Sequence, residues 1–597
     1  MEGRFMKKTL AIICALLSLA ACNKVTPIEE NPTQKESGQE FKVNLTFSRS
    51  NISEDTKASV KDGFVDNDVV FIFFNGVGDS TNPKYLEMKR IESTWVPTQK
   101  NNLGASDLSG AGTQELTAVY LPYGSGYEVA YDGGFTIKDA YGNDYSGHFY
   151  TYHDGYTFTD NTLSATISLS AVTSAGDKLV HFDVSGFASD HTYAMYQEYM
   201  KPISLTKIAA NGDVSKQVGT MGDAIPGYQD ASFISFSGVL DNTVVDSPVD
   251  YWFSIRDTFD GTLYYRDAGS QTISANKYIG LGSFASKWSV ATPGVFTVSA
   301  GGDKITIARS NLSYLGATGG SHPWQLMKYP WTVIETNAVS PFIPSSSVDF
   351  GLFGWATSGY NGNNPWNYGS DATVFGPSLS DSASAEDRTA WYNKYGNKEW
   401  YIVEPETTNW DWAKYNTIYP YGGATSVGDG WRTPTRNEFD YILFTRTDDY
   451  RCARATVGGR PGIILFPDGF VLPLGITVNH LNPTNGQLEA TYAENTYTNL
   501  QWNILEVKGS VFFPAGGYRN GSNNNIVNFN TYGGYSTSTI GDRKYRYVFT
   551  FDHQGKYNAT FVVQGVLRTH GMSVRLVRDL ISVNVNEYDD TWTNDDI

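Results

Sequence analysis

Residues 41–49 read Phe41-Lys42-Val43-Asn44-Leu45-Thr46-Phe47-Ser48-Arg49. Phe41, Val43, Leu45 and Phe47 share one face, and Lys42, Asn44, Thr46 and Ser48 the other. Successive side chains of a strand point to opposite faces, so this period of two predicts a half-buried strand. Further short strands are expected from Val69 to Phe74, Glu115 to Tyr120, Leu163 to Leu169 and Leu179 to Val184. Turn pairs such as Asp62-Gly63, Asn75-Gly76 and Asp132-Gly133 lie between them. Helical periodicity is scarce. Short strands separated by Gly, Asn and Asp turns predict a mostly β chain built from sandwiches.

Composition agrees. A chain of 597 residues suggests about four units at roughly 150 residues each. Lys+Arg number 44 against 62 Asp+Glu, a formal net charge of −18. Phosphate binding needs clustered cations, so nucleic acid is disfavoured, as is adhesion to anionic lipid through a basic surface. Charged residues make up only 18%, with 59 Gly and 39 Tyr, which fits β-rich extracellular domains. A hydrophobic content of 40% fills several cores and argues against disorder for most of the chain.

The N-terminus indicates destination. Met6-Lys7-Lys8 opens a basic region, with Met6 an alternative start, and Leu10 to Ala21 is apolar. A bilayer-spanning helix needs about 20 residues, so this run is a signal-peptide core. Leu19-Ala20-Ala21-Cys22 resembles the lipobox of bacterial lipoproteins. That resemblance implies that 1–21 is removed and that Cys22 carries lipid. It places the protein on the outer membrane, surface-exposed, with the lipid as its only membrane contact. Residues 22–40, with Pro27 and Pro32, read as a flexible tether. Cys14 leaves with the signal, so Cys452 alone remains unmodified and no intrachain disulfide forms in the mature chain. Several acyl chains give durable anchoring at about 0.8 kcal/mol per buried methylene.

Beyond the first strand come Thr56-Lys57-Ala58-Ser59 and Asp66-Asn67-Asp68-Val69-Val70-Phe71-Ile72-Phe73. Tyr251-Trp252-Phe253-Ser254-Ile255-Arg256, Tyr264-Tyr265 and Tyr278-Ile279-Gly280-Leu281 follow. This layout resembles the fimbrillin-like proteins of Bacteroidetes. It implies two transthyretin-like β-sandwich domains, 41–165 and 166–290, and pilus-like assembly. It also implies proteolytic processing after Arg49, with strand exchange between subunits. The plainer alternative is two sandwich spacers that lift a head off the membrane.

The later motifs are Phe296-Thr297-Val298-Ser299-Ala300, Ile307-Ala308-Arg309-Ser310-Asn311-Leu312, Phe350-Gly351-Leu352-Phe353-Gly354-Trp355 and Gly430-Trp431-Arg432-Thr433-Pro434-Thr435. Phe513-Pro514-Ala515-Gly516-Gly517-Tyr518-Arg519-Asn520-Gly521 and Ser573-Val574-Arg575-Leu576-Val577-Arg578 close the set. In that order they resemble the Fibrobacter succinogenes major paralogous domain. That family is related to the C-type-lectin fold of formylglycine-generating enzymes and to the variable receptors of diversity-generating retroelements. The resemblance implies an α+β C-type-lectin-like ligand-binding domain over 291–580, followed by a tail, 581–597.

Thr435 with Glu438 three residues on predicts a helix-capping box, and Phe439, Ile442 and Leu443 form its apolar stripe. Ile463-Ile464-Leu465-Phe466 before Pro467-Asp468-Gly469 predicts a buried strand and a turn. Trp355, Trp366, Trp410, Trp412 and Trp431 are expected in packing. Between Tyr518 and His570 the composition changes to Asn, Tyr, Ser, Arg and Gly, the chemistry of binding loops. The expected ligand residues are Asn523, Asn525, Asn528, Asn530, Tyr532, Tyr535, Asp542 and Arg543, then Tyr545, Tyr547, Gln554, Lys556, Tyr557, Asn558, Arg568 and His570. In the retroelement receptors this region holds the ligand-contacting positions. Those proteins often have Tyr-Trp-Ser-Ser where this chain has Gly534-Tyr535-Ser536-Thr537-Ser538.

No catalytic set is expected. Formylglycine generation needs paired cysteines, and Cys452 is single. His148 and His153 lack further ligands, and Asn363-Asn364-Pro365-Trp366-Asn367 only faintly echoes a calcium lectin motif, so neither metal nor cofactor is expected. The reading is a non-enzymatic surface lipoprotein adhesin with a tip-like pilus role. Its partners would be a host or microbial surface protein or glycan, and other fimbrillin subunits. The alternative is a non-polymerising glycan-binding lipoprotein for nutrient capture.

Overall fold

The structure, a computed structural model, describes residues 41–49, 64, 66–99, 103–109, 114–121, 127–138, 142, 144–145, 149–171, 178–229, 232–274, 277–334, 344–354, 357–359, 364–366, 384, 386–387, 390, 411–479, 491–520, 525–540, 545–552, 561–567 and 570–580. It is mostly β, as the sequence predicts. Ten strands come first: β1 (Lys42–Arg49), β2 (Val69–Phe74), β3 (Leu86–Ile91), β4 (Thr94–Gln99), β5 (Glu115–Tyr120), β6 (Glu128–Tyr131), β7 (Gly134–Lys138), β8 (Tyr150–Gly155), β9 (Thr157–Thr159) and β10 (Thr162–Ala171). One sheet runs β1-β10-β8-β5-β2-β3-β4, with β9 beside β10. Its other pairings are antiparallel, but β1 lies parallel to β10, in register from Lys42 opposite Thr162 to Arg49 opposite Leu169.

The next ten are β11 (Lys178–Ser185), β12 (Tyr193–Tyr196), β13 (Met200–Ala209), β14 (Val214–Val218), β15 (Ile225–Gln229), β16 (Ile234–Leu240), β17 (Pro248–Asp257), β18 (Leu263–Thr272), β19 (Lys277–Ser283) and β20 (Ser289–Val290). They form a second sheet along β20-β18-β17-β12-β15-β16-β13, to which β7 and β6 add at the far edge.

The unbroken apolar run of β2 explains how the two sheets meet. Val70, Ile72 and Phe74 enter a core with Phe41, Leu163 and Ile167. Phe71 and Phe73, on the opposite face, enter another with Phe135, Leu179 and Ile203. A strand buried on both faces reads as continuous apolar sequence, not alternation. The expected division at 165/166 therefore needs correction. It cuts through β10, and β6–β7 pair with β13 across it, because backbone pairing follows space and not chain order.

The C-terminal part returns to its own beginning: Lys304–Ile307 pairs with Val577–Leu580, which also pairs with Trp431–Arg432. Cys452–Val457, Arg460–Leu465 and Val511–Pro514 form another sheet. Tyr532–Ile540, Tyr545–Asp552 and Phe561–Leu567 form a third. The expected capping box is present on helix Arg436–Asp440: Thr435 Oγ1 accepts from Glu438 N, and the Glu438 carboxylate accepts from Thr435 N at 2.7 Å. Phe439, Ile442 and Leu443 enter one core with Ile463 and Leu465. Ile464 and Phe466 face a second core with Trp502 and Phe512. Trp412 is fully buried. Cys452 is too, and burial pushes its thiol up to about 12 despite Arg451 and Arg446, so it stays a protonated packing residue.

Helix Asn499–Val507 joins this part to β17. Arg256 of β17 is 2% exposed and Glu506 of the helix 4%. Arg256 Nη2 donates to Glu506 Oε2 at 2.8 Å, and Trp502 Nε1 reaches the same oxygen at 2.8 Å. Asn503 Nδ2 donates to Ser254 Oγ at 3.1 Å, and Arg309 Nε lies 3.9 Å from Glu506 Oε1. Buried charges persist only when paired and hydrogen-bonded, and these polar groups satisfy one another across the junction.

Candidate functional site

The segment singled out for its composition divides into surface and core. Tyr518–Arg519 pairs with Ile526–Val527. The backbone then turns through Asn528 (φ 55) and Asn530 (φ 65). Asn tolerates the left-handed region because its short amide bonds locally. Gly517 (φ 70) is needed for a second reason: a Cβ there would lie 2.6 Å from the Val527 carbonyl oxygen.

In its two-residue strand, Tyr518 points outward and Arg519 is fully buried. The Tyr518 ring stacks on His570 at 5.1 Å and meets Tyr532 edge-on at 5.4 Å. All three are half-buried. Burial, then Arg546 and Arg519, push His570 down to about 4, so its imidazole is neutral at neutral pH. Burial raises the Tyr532 hydroxyl above its ordinary range, with Tyr518 and Asp552 adding to the effect. The platform is thus three stacked or edge-on rings, with the His570 imidazole neutral. Exposed Asn528 and Asn530 flank it, and Arg460 donates to Asn530 Oδ1 and lies 4.9 Å over the Phe529 ring. Beneath, fully buried Arg546 donates to the His570 carbonyl at 2.7 Å and to Ser536 Oγ at 3.1 Å. Flat rings rimmed by amides can stack on an apolar or sugar face and orient it by hydrogen bonds.

Of the expected ligand residues, Asn528, Asn530, Tyr532 and His570 come together here. Asn525 is half-buried at the base of the turn, its carbonyl accepting from Asn520 N at 2.8 Å. Tyr535 is a correction. It is 0% exposed, donates its hydroxyl to the Pro514 carbonyl at 2.8 Å, and packs its ring 4.8 Å from Phe513. Tyr547 is placed elsewhere, with the Arg436 guanidinium 4.0 Å over its ring and part of its surface against the core. Tyr545 opens its strand, but its side chain lies outside the described residues, as do Asn523, Asp542, Arg543, Gln554, Lys556, Tyr557, Asn558 and Arg568. So do Cys22 and the tail 581–597; Arg49 is described only as the last residue of β1. Tyr518 was absent from the expected set. No polar–apolar alternation marks it, because its inward neighbour is Arg519.

One group of possible metal ligands exists among the described residues, His191, Asp257 and Asp260. Its atoms are already engaged: Asp257 bonds His191 Nδ1 at 2.5 Å and Phe259 N at 2.8 Å, and Asp260 accepts from Thr262 N at 2.7 Å. It is a hydrogen-bonded turn between β17 and β18. No described helix is long and apolar enough to cross a membrane.

No protein-family model matches the chain, and no curated protein matches it. Among solved structures, a candidate cell adhesion protein from Bacteroides ovatus is similar at 12% identity, over 42% of this chain and 95% of that one, with a TM-score of 0.21. One from Bacteroides fragilis is similar at 10% identity, over 41% and 92%, with a TM-score of 0.20. The fimbrial anchor protein Mfa2 from Porphyromonas gingivalis is similar at 12% identity, over 42% and 94%, with a TM-score of 0.16. These values mark a partial likeness and bear on neither ligand nor assembly.

Proposed function

We propose that this chain is a cell-surface lipoprotein adhesin, anchored through Cys22, that joins a pilus as a tip-like subunit. Two transthyretin-like sandwiches would carry a C-type-lectin-like head, whose Tyr518–Tyr532–His570 platform binds a surface protein or glycan. The observation that carries this reading is the position of β1. It is an edge strand held by a single ladder to β10. Its Val43, Leu45 and Phe47 pack against the first core, which Phe41 just before the strand enters. Among the described residues, its outer face is tied by light polar contacts such as Ser48 Oγ to Ser168 Oγ at 3.1 Å. Cleavage after Arg49 would free that strand and expose an apolar groove with unpaired backbone groups, which a donor strand satisfies. The complete eight-residue register of β1 on β10 equally fits a second reading, a permanently anchored glycan-binding monomer that keeps its first strand.

N-terminal sequencing of surface-extracted protein separates the two. Chains beginning at Ser50 in high-mass polymers are expected; monomers beginning only at Cys22 exclude assembly. For the head, Tyr518→Ala combined with His570→Ala is expected to lower binding to target cells or a glycan array at least about tenfold. The thermal midpoint should move by only a few degrees, because half-exposed rings contribute modestly to stability. Unchanged binding would remove the platform from the site.

A further inference from the structure

A cleft of about 340 Å³ lies where β17 and β18 face helix Asn499–Val507. This is ligand-sized space. Sheet register explains its sheet-side wall. Trp252 sits opposite Asp267, and Ser254 opposite Tyr265, so Asp250, Trp252, Tyr265 and Asp267 share the sheet face that Ser254 and Arg256 turn toward the helix. The helix supplies Leu500, Ile504 and Val507 as the apolar wall.

The mouth is charged in one sense. Glu198, Asp250 and Asp267 are exposed at the cleft, against a single exposed Lys508. Burial, then Glu198 and Asp250, raise the Tyr199 hydroxyl above its ordinary value. Leu474, wholly exposed at 102%, stands at the rim, with exposed Val471 in the same loop. Leu474 extends the apolar lining of the cleft to its rim.

We infer that this cleft binds a peptide segment carrying an apolar side chain next to a lysine or arginine. The apolar side chain would seat between Trp252 and Ile504, and the cation would meet Asp250, Asp267 and Glu198. Three carboxylates to one amine disfavour an anionic ligand, and an aliphatic helix wall suits a side chain better than a sugar ring. The chain's own tail does not fit: 581–597 contains no Lys or Arg and carries Glu587, Asp589, Asp590, Asp595 and Asp596. This site is separate from the Tyr518–His570 platform and stands or falls independently of it.

The test uses the purified full chain and an array of immobilised hexapeptides that pairs each apolar residue with each charged one. Peptides with Lys or Arg within two positions of an apolar residue should be enriched. Asp250→Lys with Asp267→Lys should weaken their binding at least about tenfold, an effect expected when exposed complementary charges are reversed. Leu474→Ser should weaken it several-fold, and Tyr518→Ala with His570→Ala should leave it unchanged. If the double reversal shifts the thermal midpoint, Asp250→Asn with Asp267→Asn replaces it. Enrichment of acidic or uncharged peptides, no enrichment, or binding indifferent to both double variants overturns the proposal. So does saccharide-array binding that the double changes at Asp250 and Asp267 abolish.

Discussion

Tyr535→Ala is expected to destabilise the C-terminal part by about 3–5 kcal/mol, the range for removing a buried aromatic ring. Tyr535 is 0% exposed within a ring cluster that includes Phe513, Phe549 and Phe551. Truncation would leave a cavity at the centre of that core. It would also remove the donor to the Pro514 carbonyl and the acceptor for Asn311 Nδ2 at 3.3 Å. Tyr535→Phe keeps the ring and loses only the hydroxyl, at about 1 kcal/mol. Urea unfolding of the three proteins decides the matter. A Tyr535→Ala chain as stable as the parent, but unable to bind, would return this residue to the ligand surface.

Glu506→Ala should cost about as much, for an electrostatic reason. Glu506 lies between Arg256 Nη2 at 2.8 Å and Arg309 Nε at 3.9 Å, and both its carboxylate and the Arg256 guanidinium are withdrawn from water. Burial lowers the Arg309 pKa, Glu506 raises it, and Arg256 repels it. Without the carboxylate, two cations face each other inside the junction. Removing one partner of a buried pair typically costs about 3–5 kcal/mol, because the remaining charge stays desolvated and unpaired. The expected readout is a calorimetric trace that separates into two transitions, with faster proteolysis near residue 290. Arg256→Leu together with Glu506→Leu should recover part of the loss, since the fully buried guanidinium leaves with its partner, while Arg309 and the Trp502 Nε1 donor each lose a contact. A single unshifted transition for Glu506→Ala would show that the junction does not depend on the pair.

Local patterns were legible in the sequence wherever period and chemistry coincide. The alternation of 41–49, the apolar run 69–74 and the Thr435–Glu438 box each found its element, with β2 at the expected bounds. The first two depend on side-chain direction within one strand and the third on a hydrogen bond spanning three residues, so neighbours in sequence suffice.

Composition alone singled out 518–570 but could not sort it. In Tyr532–Ile540 every residue is Tyr, Gly, Ser, Thr or Ile, so no polar–apolar alternation marks the inward face. Tertiary pairing turned Tyr535 into the core and left Tyr532 with Tyr518 and His570 at the surface. Charge misleads in the same way. Arg519, Arg546 and Arg575 would be assigned to the surface from residue type, yet all three are 0% exposed. Arg575 is held by the carbonyls of Ala308 at 2.9 Å and Phe512 at 2.6 Å and by Asn311 Oδ1 at 3.0 Å. Those partners come from segments up to 267 residues away. The sequence by itself determined a few strands and the capped helix after Thr435, while the Thr498–Gln501 box of the longer helix Asn499–Val507 went unread. Only the tertiary structure supplied the distant carbonyls that let a guanidinium leave water, and with them decided which polar and aromatic side chains face outward.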